Sequence, residues 1–176
     1  QSGTQETAAA RLLFAEGRIL AESGDLDAAA DRFRRALALR PAAATRYNLA
    51  IVLGRQGHVL EAAELLRTVL REAPANDSAR RSAEEHLREF TALIARLTIR
   101  LSGAVAGVEV VLDGRPVAAP MLGVAVPVDP GRHAIEVRHR GRVVASRETQ
   151  LTPGQAAEVE LRVPLQTPDQ AAQTVA

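Results

Sequence analysis

The chain has 176 residues, 47% of them apolar and 2% aromatic, with a formal net charge of +1 and no Cys, which excludes disulfides, thiolate metal sites and cysteine nucleophiles. Residues 1–96 carry 14 Arg and 13 acids, and residues 97–176 carry eight of each. Neither half therefore has the basic footprint of a nucleic-acid or anionic-membrane binder.

Residues 1–7 are polar and read as a loose N-terminus. From Ala8 to about Arg96 apolar residues recur at helical spacings of three and four. Leu12, Ala15 and Ile19 form the expected stripe of a first helix, and Ala29, Phe33, Ala36 and Leu37 that of a second. Ser23-Gly24-Asp25 separates them, and Pro41 ends the second, because proline lacks the helical donor and clashes with the preceding turn. The pattern restarts at Thr45, breaks at Gly57 and stops at Pro74. Asn76-Asp77-Ser78 supplies N-cap side chains for a fifth helix, about 78–96, with Ala83, Leu87, Phe90, Ile94 and Leu97 as its stripe. Gly24, Ala29, Phe33 and Pro41 recur as Gly57, Ala62, Leu66 and Pro74, a period of 33 residues that marks stacked helix pairs.

Near Leu97 the period drops to two. Leu97, Ile99 and Leu101 alternate with polar residues, and Val108, Val110 and Leu112 lead into an Asp113-Gly114 hairpin turn. Val124, Val126 and Val128 precede Asp129-Pro130-Gly131. His133, Ile135 and Val137 share a face, Gly141 breaks the run, and Val143–Leu151 continues it. Thr152-Pro153-Gly154-Gln155 turns into Val159, Leu161 and Val163. Short strands with frequent turn signals predict a small antiparallel sandwich over 97–164. Residues 165–176 read as a linker. The fold class expected is α+β in two domains: an N-terminal α-α repeat of two hairpins plus a capping helix, then the β-sandwich. The fifth helix is expected to run almost directly into the first strand and hold the domains in a fairly fixed relation.

The helical half resembles the tetratricopeptide repeat (TPR) family. A repeat at about 10–43 supplies Gly17, Gly24, Ala29, Phe33, Ala36 and Pro41. A second at about 43–76 supplies Tyr47-Asn48-Leu49-Ala50, Gly57, Ala62, Leu66 and Pro74. Glu16 and Val69 depart from the pattern, where Leu and Ala are common. The β half resembles a PEGA-type domain through Val108–Gly114, the run Val128-Asp129-Pro130-Gly131-Arg132-His133, the Ala134–Val137 strand and Gly141. The namesake tetrapeptide is absent, and Leu101-Ser102-Gly103-Ala104 stands roughly in its place. The pair resembles envelope proteins of Gram-negative bacteria, particularly myxobacteria-like ones. The resemblance implies the periplasm or cell envelope, with the signal or anchor outside a chain that begins at Gln1.

Chemistry finds little support. His58, His86, His133 and His139 show no metal-ligand spacing and are given structural roles, with His133 expected to cap its strand through a hydrogen bond. No Gly-x-Ser-x-Gly elbow exists, and a chain without Lys has no phosphate-cradling Lys loop. No catalytic residue, cofactor or metal is expected. The acidic run Asp25, Asp27 and Asp31 reads as favourable charge at a helix start. No apolar run approaches the ~20 residues of a membrane span.

Arg132, Arg138, Arg140, Arg142 and Arg147 cluster in the β half. They read either as an anion or polysaccharide surface or as a solvated hairpin whose charges protect its edge. The second reading is preferred, and the lack of interleaved aromatics argues against single-stranded nucleic acid. The TPR resemblance implies a concave groove lined by Arg11, Phe14 and Arg18 from the first repeat. The second repeat would add Tyr47, Asn48, Ile51 and Arg55. These suit an extended peptide: Asn48 for its backbone, Arg18 and Arg55 for a carboxylate, Phe14 and Tyr47 for apolar side chains. Against this, Tyr47 and Asn48 also serve packing and capping within such arrays, and the fifth helix or the sandwich could fill a groove this short. The expectation is a non-enzymatic module docking a protein or peptide partner, with self-assembly as the alternative and glycan binding a weaker third.

Overall fold

The computed structural model describes residues 2–72, 78–104 and 106–164. The chain is α+β and divides into two compact units between Ile94 and Ala95. The first holds helices α1 (Ser2–Ser23), α2 (Leu26–Leu39), α3 (Ala43–Arg55), α4 (Val59–Glu72) and α5 (Ser78–Leu93). Each helix packs on its neighbour in sequence, and the odd-numbered ones also touch, α1 with α3 and α3 with α5.

The 33-residue period has a direct backbone counterpart. Gly24 and Gly57 both take positive φ, at 89° and 87°. After α1 the Asp25 amide donates to Leu20 O and the Gly24 amide to Ala21 O. After α3 the His58 amide donates to Leu53 O and the Gly57 amide to Gly54 O. Both are glycine-terminated helix ends in which orphan carbonyls are satisfied by the turn itself. The chain then re-enters a helix within two or three residues, so α1–α2 and α3–α4 are two hairpins built alike.

Small residues let the helices approach. A Cβ on Gly17 would stand 2.8 Å from the Phe33 ring, and one on Gly54 only 2.1 Å from the Phe90 ring. Phe33 is fully buried, among Ala29, Leu49, Leu53, Leu66 and Val69 of the same core. Aromatic rings seated on glycine backbones do here what larger aliphatics do in cores richer in Leu and Ile.

Three expectations for this unit change. Helix α1 starts at Ser2 and so includes residues 2–7, with the Thr7 hydroxyl donating to Gly3 O at 2.7 Å. Its expected stripe faces outward: Leu12 is 62% and Ile19 66% exposed, and Ala15 is also exposed. The buried face is instead Ala10 and Gly17, with Leu13, Phe14, Leu20 and Ala21 half-buried. Both stripes have the same 3–4 spacing, so periodicity alone does not choose between them. Helix α5 ends at Leu93, and Leu97 belongs to the following strand. The expected N-cap at 76–77 and the helix stop at Pro74 lie outside the described residues, as does the 165–176 tail.

The second unit has two sheets. Strands β1 (Ala95–Gly103), β4 (Ala125–Val128) and β7 (Ala156–Val163) form one, in the order β4-β1-β7. Strands β2 (Val108–Leu112), β3 (Arg115–Val117), β5 (Gly131–His139) and β6 (Arg142–Leu151) form the other, in the order β3-β2-β5-β6. One core draws on both: Leu97, Ile99, Val128, Val159 and Leu161 from the first, Val110, Ile135, Val137 and Leu151 from the second. The expected all-antiparallel pairing is corrected by β1 and β7, which run parallel from Arg96↔Ala156 to Gly103↔Val163. No hairpin joins the first and last strands, so no turn imposes an antiparallel return.

Two tight hairpins fix the second sheet. Asp113 and Gly114 have φ of 50° and 79°, and Arg140 and Gly141 have 49° and 76°. Both pairs are two-residue turns with positive φ throughout, the type whose twist matches antiparallel strands. Between Val137 and Arg138 the β5–β6 register shifts, with Val144 as the extra residue of β6.

Candidate functional site

The seven groove residues fall into three situations. Arg11 and Phe14 line an open pocket of about 260 Å³ with Thr7, Ala10, Arg40, Ala42, Ala44 and Thr45. Thr7, Ala10, Arg11 and Phe14 lie at helical spacing on one face of α1. Phe14 is held against the buried Phe33 ring, centroids 5.9 Å apart at 54°.

Arg18, Asn48 and Arg55 are engaged within the fold. Arg18 pairs with Glu22 one turn along α1 at 3.3 Å, and both side chains are exposed. Asn48 Nδ2 donates to Ala44 O at 2.8 Å, inside its own helix. Arg55 Nη1 donates to Ala21 O at 3.0 Å, satisfying a carbonyl in the last turn of α1. Arg18 and Arg55 are thus not a pair of waiting carboxylate ligands.

Tyr47 and Ile51 are half-buried and pack against the helical core. The Tyr47 ring faces the His86 ring of α5 (6.0 Å, 51°), and His86 stacks on Phe90 (5.9 Å, 21°). Burial holds the Tyr47 hydroxyl pKa above its ordinary 10.0, with Glu85 adding to the rise and the Ser82 hydrogen bond opposing it. Helix α5 therefore lies over α3 at Tyr47 and Gly54, while the α1 end carries the open pocket.

The β unit gathers its polar contacts elsewhere. His133 is buried on β5, its Nδ1 2.7 Å from Asp113 Oδ2 and its Nε2 2.8 Å from Asp129 O. Asp113 Oδ1 also accepts from the Ala134 amide at 2.8 Å. Both ring nitrogens thus face acceptors, and only an imidazolium can donate to both. Burial pushes the His133 pKa down, but Asp113 and the Asp129 carbonyl pull it back further, so the net shift is upward from 6.5. The capping bond expected of His133 is present, and Asp113, read from the sequence only as a turn residue, is its partner.

Two of the five clustered arginines pair with carboxylates. Arg132 pairs with Glu148, Arg138 with Glu136 at 2.6 Å, and Arg147 reaches Glu160 O at 3.5 Å. Arg140, in the β5–β6 turn, and Arg142, just after it, have no ion-pair partner among the described residues. There is likewise no cluster of three His, Asp or Glu placed to hold a metal among the described residues. Nor is any helix there long and apolar enough to cross a membrane.

Sequence reasoning missed the pocket's second wall. Arg40, Ala42 and Thr45 come from the α2–α3 junction, where the signal was a helix entered through Pro41-Ala42-Ala43 with no Ser, Thr, Asp or Asn to cap it. No family model matches the chain, and no curated protein matches it in sequence.

Proposed function

We propose that the chain is a non-enzymatic docking module of the bacterial cell envelope: two TPR hairpins capped by a fifth helix, followed by a PEGA-like sandwich. The helical unit holds a protein or peptide partner. The β unit is a second contact or a spacer. The observation that carries this reading is the backbone repeat. Two hairpins 33 residues apart end their first helices on Gly24 and Gly57 in the same way, so α1 and α3 share one face. Arg11 and Phe14 are the open part of that face. Tyr47 lies against His86 of α5, and Ile51 is half-buried on the helical core.

The test is cross-linking capture from a native envelope extract with wild type and an Arg11→Glu variant, both folded by circular dichroism. Specific recovery lost with Arg11→Glu supports the groove. Equal recovery by both moves the contact off this face.

A second reading, a subunit of a larger assembly, is favoured by the exposed stripe Leu12, Ala15 and Ile19 on α1. Repeat arrays bury such a face against a neighbouring repeat. Concentration-dependent growth, abolished by Leu12→Glu, would favour it over docking.

A further inference from the structure

The pocket at the start of α3 has the chemistry of an anion site with an apolar floor. Helix α3 is entered through Ala42, which has no side chain to cap it, and its first turn holds no acid. The first intrahelical bond into this turn is Arg46 N to Ala42 O at 3.0 Å, so the amides of Ala43, Ala44 and Thr45 have no acceptor among the described residues. Open amides at the positive end of a helix attract a negative group. By contrast, α2 is capped by Asp25, which accepts from the Ala28 amide, and has Asp27 in its first turn.

Independent side-chain observations point the same way. Thr45 is only 5% exposed, lines the pocket, and its hydroxyl has no hydrogen-bond partner among the described residues. Since no side-chain N or O among the described residues is both fully buried and unsatisfied, the hydroxyl retains some exposure, and the residue lines the cavity. Arg11 has no carboxylate partner among the described residues. Arg40 Nη1 is engaged only by the neutral Thr7 hydroxyl, at 2.7 Å. Most other arginines of the helical unit are matched, as in Arg32–Glu16, Arg34–Glu61 and Arg46–Glu72. Arg11 and Arg40, neither paired with a carboxylate among the described residues, both line the pocket that the uncapped helix end faces.

The rest of the wall is Ala10, Phe14, Ala42 and Ala44. At about 260 Å³ the space lies below the roughly 300–1,000 Å³ of pockets for drug-sized ligands, so it suits a small group. We infer that this pocket binds a carboxylate carried on a short apolar stem, the carboxylate on the Ala44 and Thr45 amides, the Thr45 hydroxyl and the two guanidiniums, the stem against Phe14 and Ala10. A phosphate would satisfy the donors but leave the apolar wall unused. The inference shares Arg11 and Phe14 with the docking proposal and rests on it only for the source of the carboxylate, a free small acid or a chain terminus.

The test is an NMR titration of the full chain with 4-methylvalerate, its uncharged amide and inorganic phosphate. Millimolar acid should give saturable shifts at the Ala43, Ala44 and Thr45 amides. The uncharged amide, and the acid with an Arg11→Gln/Arg40→Gln variant, should bind about tenfold more weakly, as expected for lost charged hydrogen bonds. Thr45→Val should weaken the acid several-fold without lowering the unfolding midpoint, because the hydroxyl has no protein partner to lose. That second variant separates a ligand role from a folding role. Acid and amide binding alike, phosphate binding as tightly as the acid, or no saturable shift would overturn the inference. A short peptide ending in leucine, with free or amidated terminus, distinguishes the sources. A free-terminus peptide about tenfold tighter than the acid indicates a chain end, and equal affinity indicates a free acid. Acid binding without partner capture would leave the pocket standing and the docking proposal failed.

Discussion

The two units solve the problem of a core with few aromatics in opposite ways. The helical unit packs rings onto glycines, Phe33 on Gly17 and Phe90 on Gly54, and its helices meet mainly their sequence neighbours. The β unit has no aromatic residue at all. It relies on Val, Leu and Ile from two sheets and on a buried polar latch, His133 between Asp113 and Asp129. The first is specified by volume at close crossings, which tolerates almost no added atom. The second is specified by hydrogen bonds and register across distant segments, which tolerates added volume at its edges and responds to protonation.

That contrast can be broken first at Gly54. An alanine Cβ would overlap the Phe90 ring, and overpacking strain of about 3 kcal/mol exceeds the helix-propensity gain of about 1 kcal/mol. Urea unfolding followed by Tyr47 fluorescence, which reports the helical unit alone, should show Gly54→Ala destabilised by about 2 kcal/mol. Much of that should return in Gly54→Ala/Phe90→Leu. A neutral Gly54→Ala would mean that the ring moves freely and the volume argument fails.

The latch is the next target. Asp113→Asn keeps a residue tolerant of positive φ but removes the charge that faces His133 and one of the two acceptor oxygens. The β unit should lose about 1.5 kcal/mol, read from its NMR amide signals in urea, while the Tyr47 transition stays in place. The pH dependence is subtler. Because the folded state holds the His133 proton above the ordinary 6.5, the latch stabilises fully below that value and fades as pH rises through the raised one. The β-unit midpoint should therefore fall as pH rises above 6.5, and His133→Gln should flatten the slope. An unchanged slope in His133→Gln would assign it to other groups. The smallest effect belongs to the exposed Arg18–Glu22 pair, where Arg18→Ala should cost about 0.3 kcal/mol in the Tyr47 assay.

Comparing expectation with structure locates what local pattern carries. Gly24 and Gly57 were legible as turns because few residues but glycine occupy positive φ cheaply, and that requirement is local. Asp113-Gly114 was legible for the same reason. The α1 stripe was misread because Leu12-Ala15-Ile19 and Ala10-Phe14-Gly17 have equally helical spacing. Only the neighbouring helices decide which is covered, and a small-residue face carries a weak hydrophobic signal. Of the groove residues, Arg11 and Phe14 line an open pocket. Arg55 and Tyr47 have partners in other helices, Ala21 O and His86, that their own surroundings did not reveal.

By itself the sequence determined the five helices, most of the strands, the 33-residue period, the turns and an α-to-β switch placed near Leu97, a few residues past its actual position, because each rests on short-range backbone preference and periodicity. Tertiary structure alone decided the parallel β1–β7 pairing, the placement of α5 over Tyr47, the partners of His133, and the meeting of Arg11, Arg40 and Thr45 around the uncapped start of α3. These join residues tens of positions apart, and their geometry follows from how whole faces pack rather than from any local preference.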